Sequence, residues 1–511
     1  MDARTTDAIE MERAEGVERG PVEHPVGRRD ATDYDCDVAI IGAGTAGMSA
    51  YREARKWTER VRLVDRGPLG TTCARVGCMP FKLLIAAADA AHEARHTERF
   101  GVSAGPVAVD GSAVMERVRS ERDRFVGFVL DAVEGFDDAD VIRQNARFRD
   151  DHTLELADGS RLTARAVILA AGSRPDIPPP FEAVGDLLAT NDDVFDWTDL
   201  PKSAAVFGGG VIGLELGQAL HWLGVRVHLF GRGGSVGPLT DPDLLAYARR
   251  AFSDEFPAHF GAETDVSREG DEVVVRWKAD DEEGEERFDI LLAATGRRPN
   301  LDRVGLDDTS LKLDDRGRPT VDHMSMRATT KEDALSSIFV TGDLAAPPLL
   351  HEAADEGRIA GENAARYPHS YRRARRTGLG IVFCDPQIAI AGRGHRELRE
   401  ADVDFAHGEV SFEDQGRARV IGKARGLLRV YGERETGLLV GAEMIGPAAE
   451  HLGHLVAWTI ESKLSVTEVL RRPFYHPVLE EGLRTALRNL NAELGFAANP
   501  PPRCIDCGPG G

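Results

Sequence analysis

Lysine, cysteine and long apolar runs are scarce in this chain of 511 residues. Only eight lysines occur, so arginine carries most of the positive charge, and 85 acidic against 63 basic residues leave a formal net charge of -22. That charge repels phosphate backbones and anionic lipid surfaces, so nucleic acids and such membranes are not expected as partners. No stretch approaches the roughly 18 to 20 uninterrupted apolar residues of a membrane-spanning helix.

The six cysteines are too dilute for the disulfide scaffold of a secreted protein. Residues 1–33 are acidic and polar, without the apolar segment of a secretory signal, and they predict a disordered tail outside the fold. We therefore expect a cytoplasmic protein. At roughly 150 residues per domain the length predicts about three domains, and the composition is typical of an α/β protein.

A glycine-rich turn follows the apolar run DVAII at residues 37–41. It contains Gly42, Gly44 and Gly47, and Asp65 ends the next predicted strand. A strand, a GxGxxG turn, a helix and a carboxylate in this order are typical of a dinucleotide site. The glycines let a pyrophosphate approach the helix N-terminus, and the carboxylate accepts a ribose hydroxyl. A tight structural turn without a ligand is the alternative.

A second copy of this pattern begins with SAAVF at Ser203. Its glycines are Gly208, Gly210 and Gly213, and another predicted strand, VRVHLF, follows the helix. The chain is therefore predicted to contain two nucleotide-binding units.

The second copy lacks the acidic residue of the first. The equivalent position is Gly231, followed by Arg232. An NAD site carries an acid there for the ribose 2′-hydroxyl, whereas a guanidinium matches a 2′-phosphate. The pattern favours NADPH, and the alternative is a surface arginine in a loop that accepts either nucleotide.

Cys73 and Cys78 form a close pair in the segment TCARVGCMP. Residues five apart on a regular helix are too distant for a disulfide, so a bridge needs a distorted turn, which Gly77 and Pro80 favour. Close pairs in cytosolic proteins are usually redox-active or form half of a metal site. A redox pair, a metal half-site and inert thiols remain open from the residues alone.

Short alternating strands and then helices follow residue 372, without a further βαβ unit, and predict a third, α+β domain. This part contains His476 and Glu481 in the segment HPVLEE. A neutral imidazole takes and returns a thiol proton, and a carboxylate on its other nitrogen orients it. The alternative is a structural histidine.

Residues 34–492 contain, in this order, the motifs GAGTAG, GTTCARVGCMPFK, GGGVIGLELG, AATGRRPN, VTGD and FYHPVLEEG. In this combination the chain resembles the class I pyridine nucleotide-disulfide oxidoreductase family, and most of all its dihydrolipoamide dehydrogenase branch. The resemblance implies an α/β fold with two Rossmann-like domains, for FAD and NAD(P), and a C-terminal α+β dimerisation domain. The implied segments are a tail at 1–33, an FAD-binding domain at 34–182 and 296–370, an NAD(P)-binding domain at 183–295, a dimerisation domain at 371–495 and a flexible cysteine-containing tail at 496–511.

The resemblance also implies which residues bind the cofactors, with Asp343 of the VTGD motif placed on the ribitol of FAD. The implied cofactor-binding residues are Gly42, Gly44, Gly47, Asp65, Gly172, Gly342, Asp343, Ala353, Gly208, Gly210, Gly213, Arg232 and Gly296.

Catalytic roles follow from the same resemblance. Cys73 would exchange with the substrate disulfide, and Cys78 would face the flavin as a charge-transfer thiolate. Lys82 would form an ion pair with Glu215 near the flavin N5.

The implied protein is a homodimer in which His476, with Glu481, serves the active site of the partner subunit. Its implied function is that of an FAD-dependent NAD(P)H:disulfide oxidoreductase acting on a small-molecule or lipoyl-type disulfide. The alternatives are an NADPH-dependent reductase of another disulfide, similar to glutathione, thioredoxin or mercuric reductases, and a flavin-binding scaffold without turnover. His476 argues against the mercuric reductases, which generally lack it.

Two residues depart from the family pattern beside the cysteines. Arg75 stands where asparagine is common, and Phe81 stands where serine is common. Neither change removes a redox atom, but both affect the expected redox potential or substrate fit.

The C-terminal tail ends with a second close pair, Cys504 and Cys507, after three prolines. The prolines stiffen the segment before the cysteine pair, and the glycines after it make the chain end flexible. Three interpretations remain open: incidental thiols on a disordered terminus, a lone metal half-site, and a third redox pair that accepts electrons from Cys73 and Cys78.

Overall fold

The computed structural model of the chain describes residues 33–279, 282–345 and 348–495. The predicted acidic tail, except Asp33, and the C-terminal tail with Cys504 and Cys507 lie outside the described residues.

The strands of the described residues are β1 Cys36–Ile41, β2 Val61–Val64, β3 Val141–Ile142, β4 Ala146–Phe148, β5 Thr153–Leu156, β6 Arg161–Leu169, β7 Ser173–Pro175, β8 Leu188–Thr190, β9 Ser203–Phe207, β10 Arg226–Gly231, β11 Ala258–Phe260, β12 Glu263–Glu269, β13 Glu272–Ala279, β14 Glu282–Phe288, β15 Ile290–Ala293, β16 Arg297–Pro299, β17 Val321–Asp322, β18 Arg327–Thr329, β19 Leu335–Val340, β20 Leu379–Val382, β21 Gln387–Gly392, β22 Phe405–Ser411, β23 Leu427–Glu433 and β24 Leu439–Gly446.

The α-helices of the same residues are α1 Thr45–Ala54, α2 Thr72–Val76, α3 Cys78–Arg95, α4 Gly111–Glu134, α5 Asn191–Val194, α6 Val211–Trp222, α7 Pro242–Ser253, α8 Leu350–Ala365, α9 His395–Glu400, α10 Gly416–Val420, α11 Ala449–Glu461, α12 Val466–Leu470 and α13 Glu480–Glu493. Short 3₁₀ helices span Thr97–Phe100, Pro179–Leu187, Arg232–Gly234, Leu306–Asp308 and Gly342–Leu344. No helix in the described part of the chain has the length and apolar character needed to cross a membrane.

The chain divides into two compact units. The first unit comprises the described residues up to Arg75, together with Arg122–Arg174 and Arg297–Arg375. The second unit comprises Val76–Glu121, Pro175–Gly296 and the described residues from Arg376 onward. This division does not test the boundaries of the FAD-binding, NAD(P)-binding and dimerisation domains, which stay a prediction.

One sheet organises the first unit, in the strand order β17-β18-β19-β6-β1-β2-β3, with β4 and β5 continuing from β6. β1 is parallel to both neighbours, and Ile40 lies opposite Leu63 on β2 and Ile168 on β6. All three side chains are fully buried, as expected for a parallel sheet covered on both faces. The continuous apolar run of β1 is what makes it a central strand.

The second unit holds a parallel sheet of order β11-β10-β9-β15-β8, in which Val206 on β9 lies opposite Leu229 and Leu292. An antiparallel sheet of β12, β13 and β14 follows, and the C-terminal residues form a third sheet of order β20-β21-β24-β23-β22. All the pairings in this last sheet are antiparallel.

These elements confirm the predicted fold class. The sequence of residues 111–136 predicts a long amphipathic helix, and α4 occupies this segment. The proline-rich segment PDIPPP at 175–180 predicts a linker. This prediction is wrong at its end, because Pro179 begins a 3₁₀ helix whose Phe181 and Val184 are buried. The sheet of β12–β14 was not predicted from the sequence. Charged residues are frequent along its strands, and the apolar residues Val273, Val274 and Val275 at the centre of β13 are fully buried.

Candidate active site

The turn between β1 and α1 is shaped for a close-approaching ligand. Gly42 has φ +106°, and a Cβ there would lie 2.3 Å from the carbonyl oxygen of Ala170. A Cβ at Gly47 would lie 1.8 Å from Gly42 O, so neither position tolerates a side chain. Gly44, which caps α1, has nothing within 4 Å of its ideal Cβ position, so space is open beside the helix N-terminus. This arrangement fits the diphosphate of a dinucleotide.

Asp65 follows β2 and reaches back to the same turn. Its Oδ2 accepts the Ala43 N–H at 2.6 Å, and its Oδ1 accepts the Gly67 N–H at 2.6 Å. Each carboxylate oxygen has a second lone pair, so the group retains capacity to accept a ribose hydroxyl.

A second turn of the first unit carries Asp343. Its Oδ2 accepts the Ser173 hydroxyl at 2.5 Å, and Ser173 Oγ in turn accepts the Arg297 Nε–H at 2.9 Å. Just before the turn, the buried Thr341 Oγ1 has no hydrogen-bond partner. An unsatisfied buried hydroxyl beside a held carboxylate fits a polar ligand such as the flavin part of FAD. Sequence reasoning missed both residues: Ser173 lies outside the quoted motifs, and Arg297 lies within the AATGRRPN motif but was not singled out.

Three other implied cofactor residues occupy supporting positions. Gly172 has φ +66° and accepts the Asn300 N–H at 2.9 Å through its carbonyl. Ala353, in the first turn of α8, belongs to a small buried cluster with Ala46 and Ala170 next to the Gly42 turn.

Gly296 lies in the second unit, with φ +119°. Its carbonyl accepts the Asp176 N–H at 3.0 Å, and nothing lies within 4 Å of its ideal Cβ position.

The turn between β9 and α6 repeats the first cradle in the second unit. Gly208 has φ +128°, and its Cβ would lie 2.1 Å from Ala294 O, whereas a Cβ at Gly213 would lie 1.9 Å from Gly208 O. Gly210, which caps α6, is open. The extra Gly209 is required because its Cβ would lie 2.4 Å from the carbonyl oxygen of a loop residue, Ser235.

Gly231 ends β10, and Arg232 is exposed at the first position of the 3₁₀ helix that follows. A Cβ at Gly231 would lie 3.1 Å from the Phe260 ring, so a carboxylate side chain has little room there. A residue of α7 fixes the loop after β10, because the Arg249 Nε–H donates to Gly234 O at 2.7 Å. The strand end therefore presents a guanidinium in place of an acid.

The two cysteines of the predicted redox pair lie on successive helices. Cys73 is half-buried on α2, and Cys78 is exposed at the first residue of α3. Gly77 between them has φ -128° and ψ -129°, which breaks the helix at the expected point. The Phe81 N–H then donates to Gly77 O at 3.2 Å as α3 begins. The disulfide itself stays a prediction.

Both departures from the family pattern have a packing explanation. Phe81 is 5% exposed, and its ring centroid lies 5.1 Å from that of Phe195, so it belongs to a hydrophobic core. The stem of Arg75 lies beside Gly70, whose Cβ would be 3.2 Å from Arg75 Cδ.

Lys82 and Glu215 form an ion pair in the second unit. The Nζ–Oε2 distance is 2.6 Å, and the Glu215 side chain is 3% exposed. The other oxygen of Glu215 accepts the Phe383 N–H at 2.9 Å, and Lys82 Nζ lies 4.2 Å from the centroid of the Phe383 ring. The neighbouring Cys384 is buried, and its burial raises the pKa of its thiol well above the usual value, so it is not a nucleophile.

His476 and Glu481 are also in contact. The imidazole Nδ1 lies 3.1 Å from both carboxylate oxygens of Glu481, which is buried, whereas the His476 side chain is 62% exposed. Glu481 also accepts the Val478 N–H at 3.2 Å and a guanidinium N–H of Arg484 at 3.1 Å. A carboxylate on Nδ1 places the ring proton there and leaves the Nε2 lone pair for a proton from outside.

Comparisons with known proteins agree with these features. Residues 36–357 match the pyridine nucleotide-disulphide oxidoreductase family, and residues 379–487 match the dimerisation domain of that family. The dihydrolipoyl dehydrogenase of Geobacillus stearothermophilus is 29% identical over 454 residues, which cover 88% of this chain and 94% of that protein. That of Haloferax volcanii is 30% identical over 465 residues, covering 89% and 96%.

Two solved structures share the fold. LpdA from Mycobacterium tuberculosis has a TM-score of 0.74 at 24% identity, covering 89% of this chain and 99% of that chain. The HOCl-induced flavoprotein disulfide reductase RclA from Escherichia coli, solved as a Cu(II) complex, has a TM-score of 0.73 at 21% identity, with the same coverage.

Proposed function

This chain belongs to the pyridine nucleotide-disulphide oxidoreductase family, and from that premise we propose that it oxidises a lipoyl-type dithiol and passes the electrons to NAD(P)⁺. FAD and a pyridine nucleotide are the cofactors of this oxidoreductase. The lipoyl-type substrate is inferred from relatives named dihydrolipoyl dehydrogenase. A cytoplasmic location stays a prediction from the low cysteine content.

The contact between His476 and Glu481 is the observation that carries the dithiol chemistry. A thiol attacks a disulfide only as a thiolate, so a nearby proton acceptor is needed at neutral pH. The buried carboxylate orients the imidazole and stabilises its protonated form, while the exposed Nε2 faces a substrate. Neither a binding module nor a flavin scaffold requires such a pair.

In the proposed reaction, His476 Nε2 takes a proton from one substrate thiol, and the resulting thiolate attacks Cys73. The Cys73–Cys78 bond breaks and Cys78 leaves as a thiolate. The second substrate thiol then displaces Cys73, and His476 gives the first proton to the leaving Cys73 sulfur and takes the proton of the second thiol. This step completes the substrate disulfide and leaves Cys73 as a thiol and Cys78 as a thiolate. Bound FAD supplies the two-electron path from these sulfurs to the nucleotide. Loss of two electrons from Cys73 and Cys78 restores the protein disulfide. These electrons and one of the two substrate protons would reduce NAD(P)⁺, and the other proton goes to solvent.

Other residues of the chain hold the cofactors in this proposal. The glycines of the two cradles and Asp65 receive the dinucleotides, and Asp343 binds the ribitol. Lys82, fixed by the buried Glu215, supplies a positive charge to the flavin ring.

The chain contains a dimerisation domain, and we infer a homodimer in which His476 acts on the cysteines of the partner. Two large aromatic side chains in this part of the chain are exposed, Tyr475 to 80% and Trp458 to 64%. Such exposed apolar groups support an interface that the partner subunit covers. His476 directly follows Tyr475, so in the dimer it would lie at this interface and face the partner subunit.

Steady-state assays test the proposal. We expect turnover of dihydrolipoamide with NAD(P)⁺, and a fall in kcat of about 10²- to 10⁴-fold for Glu481→Gln, since a misdirected imidazole no longer transfers the proton. The adjacent Glu480→Gln is the matched control, because the carboxylate that forms the described hydrogen bonds with the imidazole belongs to Glu481. Wild-type turnover in Glu481→Gln would contradict the proposal.

A second candidate function, an NADPH-dependent reductase of another disulfide, is favoured by Gly231 and Arg232. Assays in the reductive direction with lipoamide, glutathione disulfide and a thioredoxin-type protein separate the two. Turnover confined to NADPH and a non-lipoyl disulfide would replace the first proposal by the second.

A further inference from the structure

A buried carboxylate of the first unit contacts the turn that carries Asp343. Glu356, on α8, is 1% exposed, and its Oε2 accepts the Gly342 N–H at 2.7 Å. Gly342 has φ +70°, a conformation that glycine adopts without strain and that leaves the turn dependent on outside contacts. The turn is thus held by two side chains, Glu356 on its backbone and Ser173 on the Asp343 carboxylate.

Charged groups of both signs surround Glu356. The charged and titratable groups around it are the carboxylates of Glu352 and Asp355, the guanidinia of Arg375 and Arg358, and the imidazole of His351. Arg375 is shared, lying 2.5 Å from Glu352, 3.5 Å from Asp355 and 3.3 Å from Glu356. Burial is the main reason why the pKa of Glu356 is raised to about 7. The carboxylates of Glu352 and Asp355 also raise this pKa, whereas Arg375 and the hydrogen bond from the Gly342 N–H lower it.

The helix that carries Glu356 is fixed against α1. A Cβ at Gly357 would lie 2.1 Å from Ala46 O, and a Cβ at Gly361 would lie 2.4 Å from Ala50 O, so the two helix backbones are in direct contact. The N-terminus of α1 is the cradle for the diphosphate. Glu356 therefore connects the Asp343 turn to the helix that packs directly against α1.

We propose that Glu356 is a positioning residue for FAD: its ionised carboxylate holds the Gly342 N–H, and its protonation loosens the Asp343 turn and speeds release of the cofactor. The direction follows because an ionised acceptor makes a hydrogen bond roughly twice as strong as a neutral one. Retention of FAD is expected to fall as the pH falls through about 7. The inference rests on the proposed contact of Asp343 with the flavin.

The test is the rate of FAD release from the holoenzyme, followed by the rise in flavin fluorescence at about pH 6 and about pH 8. We expect the wild type to release FAD about fivefold faster at the lower pH. Glu356→Gln keeps the size and an acceptor oxygen, so its rate should equal the low-pH rate at both values. Glu356→Ala, which removes the acceptor, should be faster still.

Glu352→Gln is the matched control. It neutralises a carboxylate on the same Arg375, yet Glu352 has no hydrogen bond to the turn among those of Gly342 and Asp343 described above. It should keep the pH dependence and move its midpoint to lower pH, because one of the negative charges that raise the Glu356 pKa is lost. If Glu352, Asp355, Glu356 and Arg375 had only a structural role, Glu352→Gln would not shift the pH midpoint of FAD release.

A pH dependence that persists in Glu356→Gln, or a wild-type release rate in Glu356→Ala, would overturn the inference. Asp343→Asn in the same assay separates this inference from the flavin site. If Asp343→Asn does not speed release, the assignment of Asp343 is wrong. If it does and the Glu356 variants behave as wild type, only the role of Glu356 is wrong.

Discussion

Replacing Arg232 by alanine is expected to remove most of a preference for NADPH over NADH. Arg232 is exposed directly after Gly231, at the strand end where a 2′-phosphate would lie. A charge-assisted hydrogen bond contributes about 1.5 to 3 kcal/mol, and exposure to solvent favours the lower end of that range. A loss of about 1.5 kcal/mol lowers kcat/KM for NADPH about tenfold. The value for NADH should change less than about twofold, because NADH lacks the phosphate.

The assay is kcat/KM for each nucleotide at low and raised ionic strength, since salt screens an exposed charge pair and should reduce the NADPH preference. Arg250→Ala is the control for the change in net charge, because Arg250 is also exposed but belongs to α7. Equal constants for the two nucleotides in the wild type, or an equal loss for both in Arg232→Ala, would refute the reasoning. Gly231→Asp alone should not create an efficient NADH enzyme, because its Cβ meets the Phe260 ring. Combining it with Phe260→Leu should improve the constant for NADH.

Three further outcomes are expected. Cys73→Ser should abolish dithiol turnover and show a long-wavelength thiolate-to-flavin absorption band without reduction, whereas retained turnover would exclude Cys73 as the exchanging sulfur. Mixing inactive Cys73→Ser and His476→Gln subunits should restore about a quarter of wild-type activity, since about half of the random dimers are mixed and each has one complete site; no recovery, despite subunit exchange shown by mass spectrometry, would contradict action across the dimer. If Cys504 and Cys507 form a third redox pair, deleting residues 499–511 should lower turnover with a protein disulfide and leave flavin reduction by the nucleotide unchanged. Unchanged turnover with every disulfide would show that these thiols are incidental.

The packing of Phe81 shows why a departure from a family pattern is not by itself a change in chemistry. From the sequence, a phenylalanine beside the cysteines put substrate fit in question. In the structure its ring is buried against Phe195, which lies 114 positions later in the chain. Periodicity within a helix identifies an apolar position but not the residue that packs on it.

Local sequence determined the two cradles. A strand, a glycine turn and a helix are consecutive in the chain, and the position of the carboxylate after the next strand follows from the right-handed crossover between parallel strands. This is why Asp65, predicted from its spacing, reaches the Ala43 N–H. The absent acid at Gly231 could be deduced in the same way.

Only the tertiary structure decided which distant side chains support the Asp343 turn. The hydrogen bonds from Ser173 to Asp343 and from Arg297 to Ser173 join residues 170 and 124 positions apart. Glu356 looks, in the sequence, like one more charge in an acidic helix. Its role depends on the close approach of α8 to α1 and on burial among other carboxylates. These contacts arise from packing, and burial converts an ordinary carboxylate into one that exchanges its proton near neutral pH.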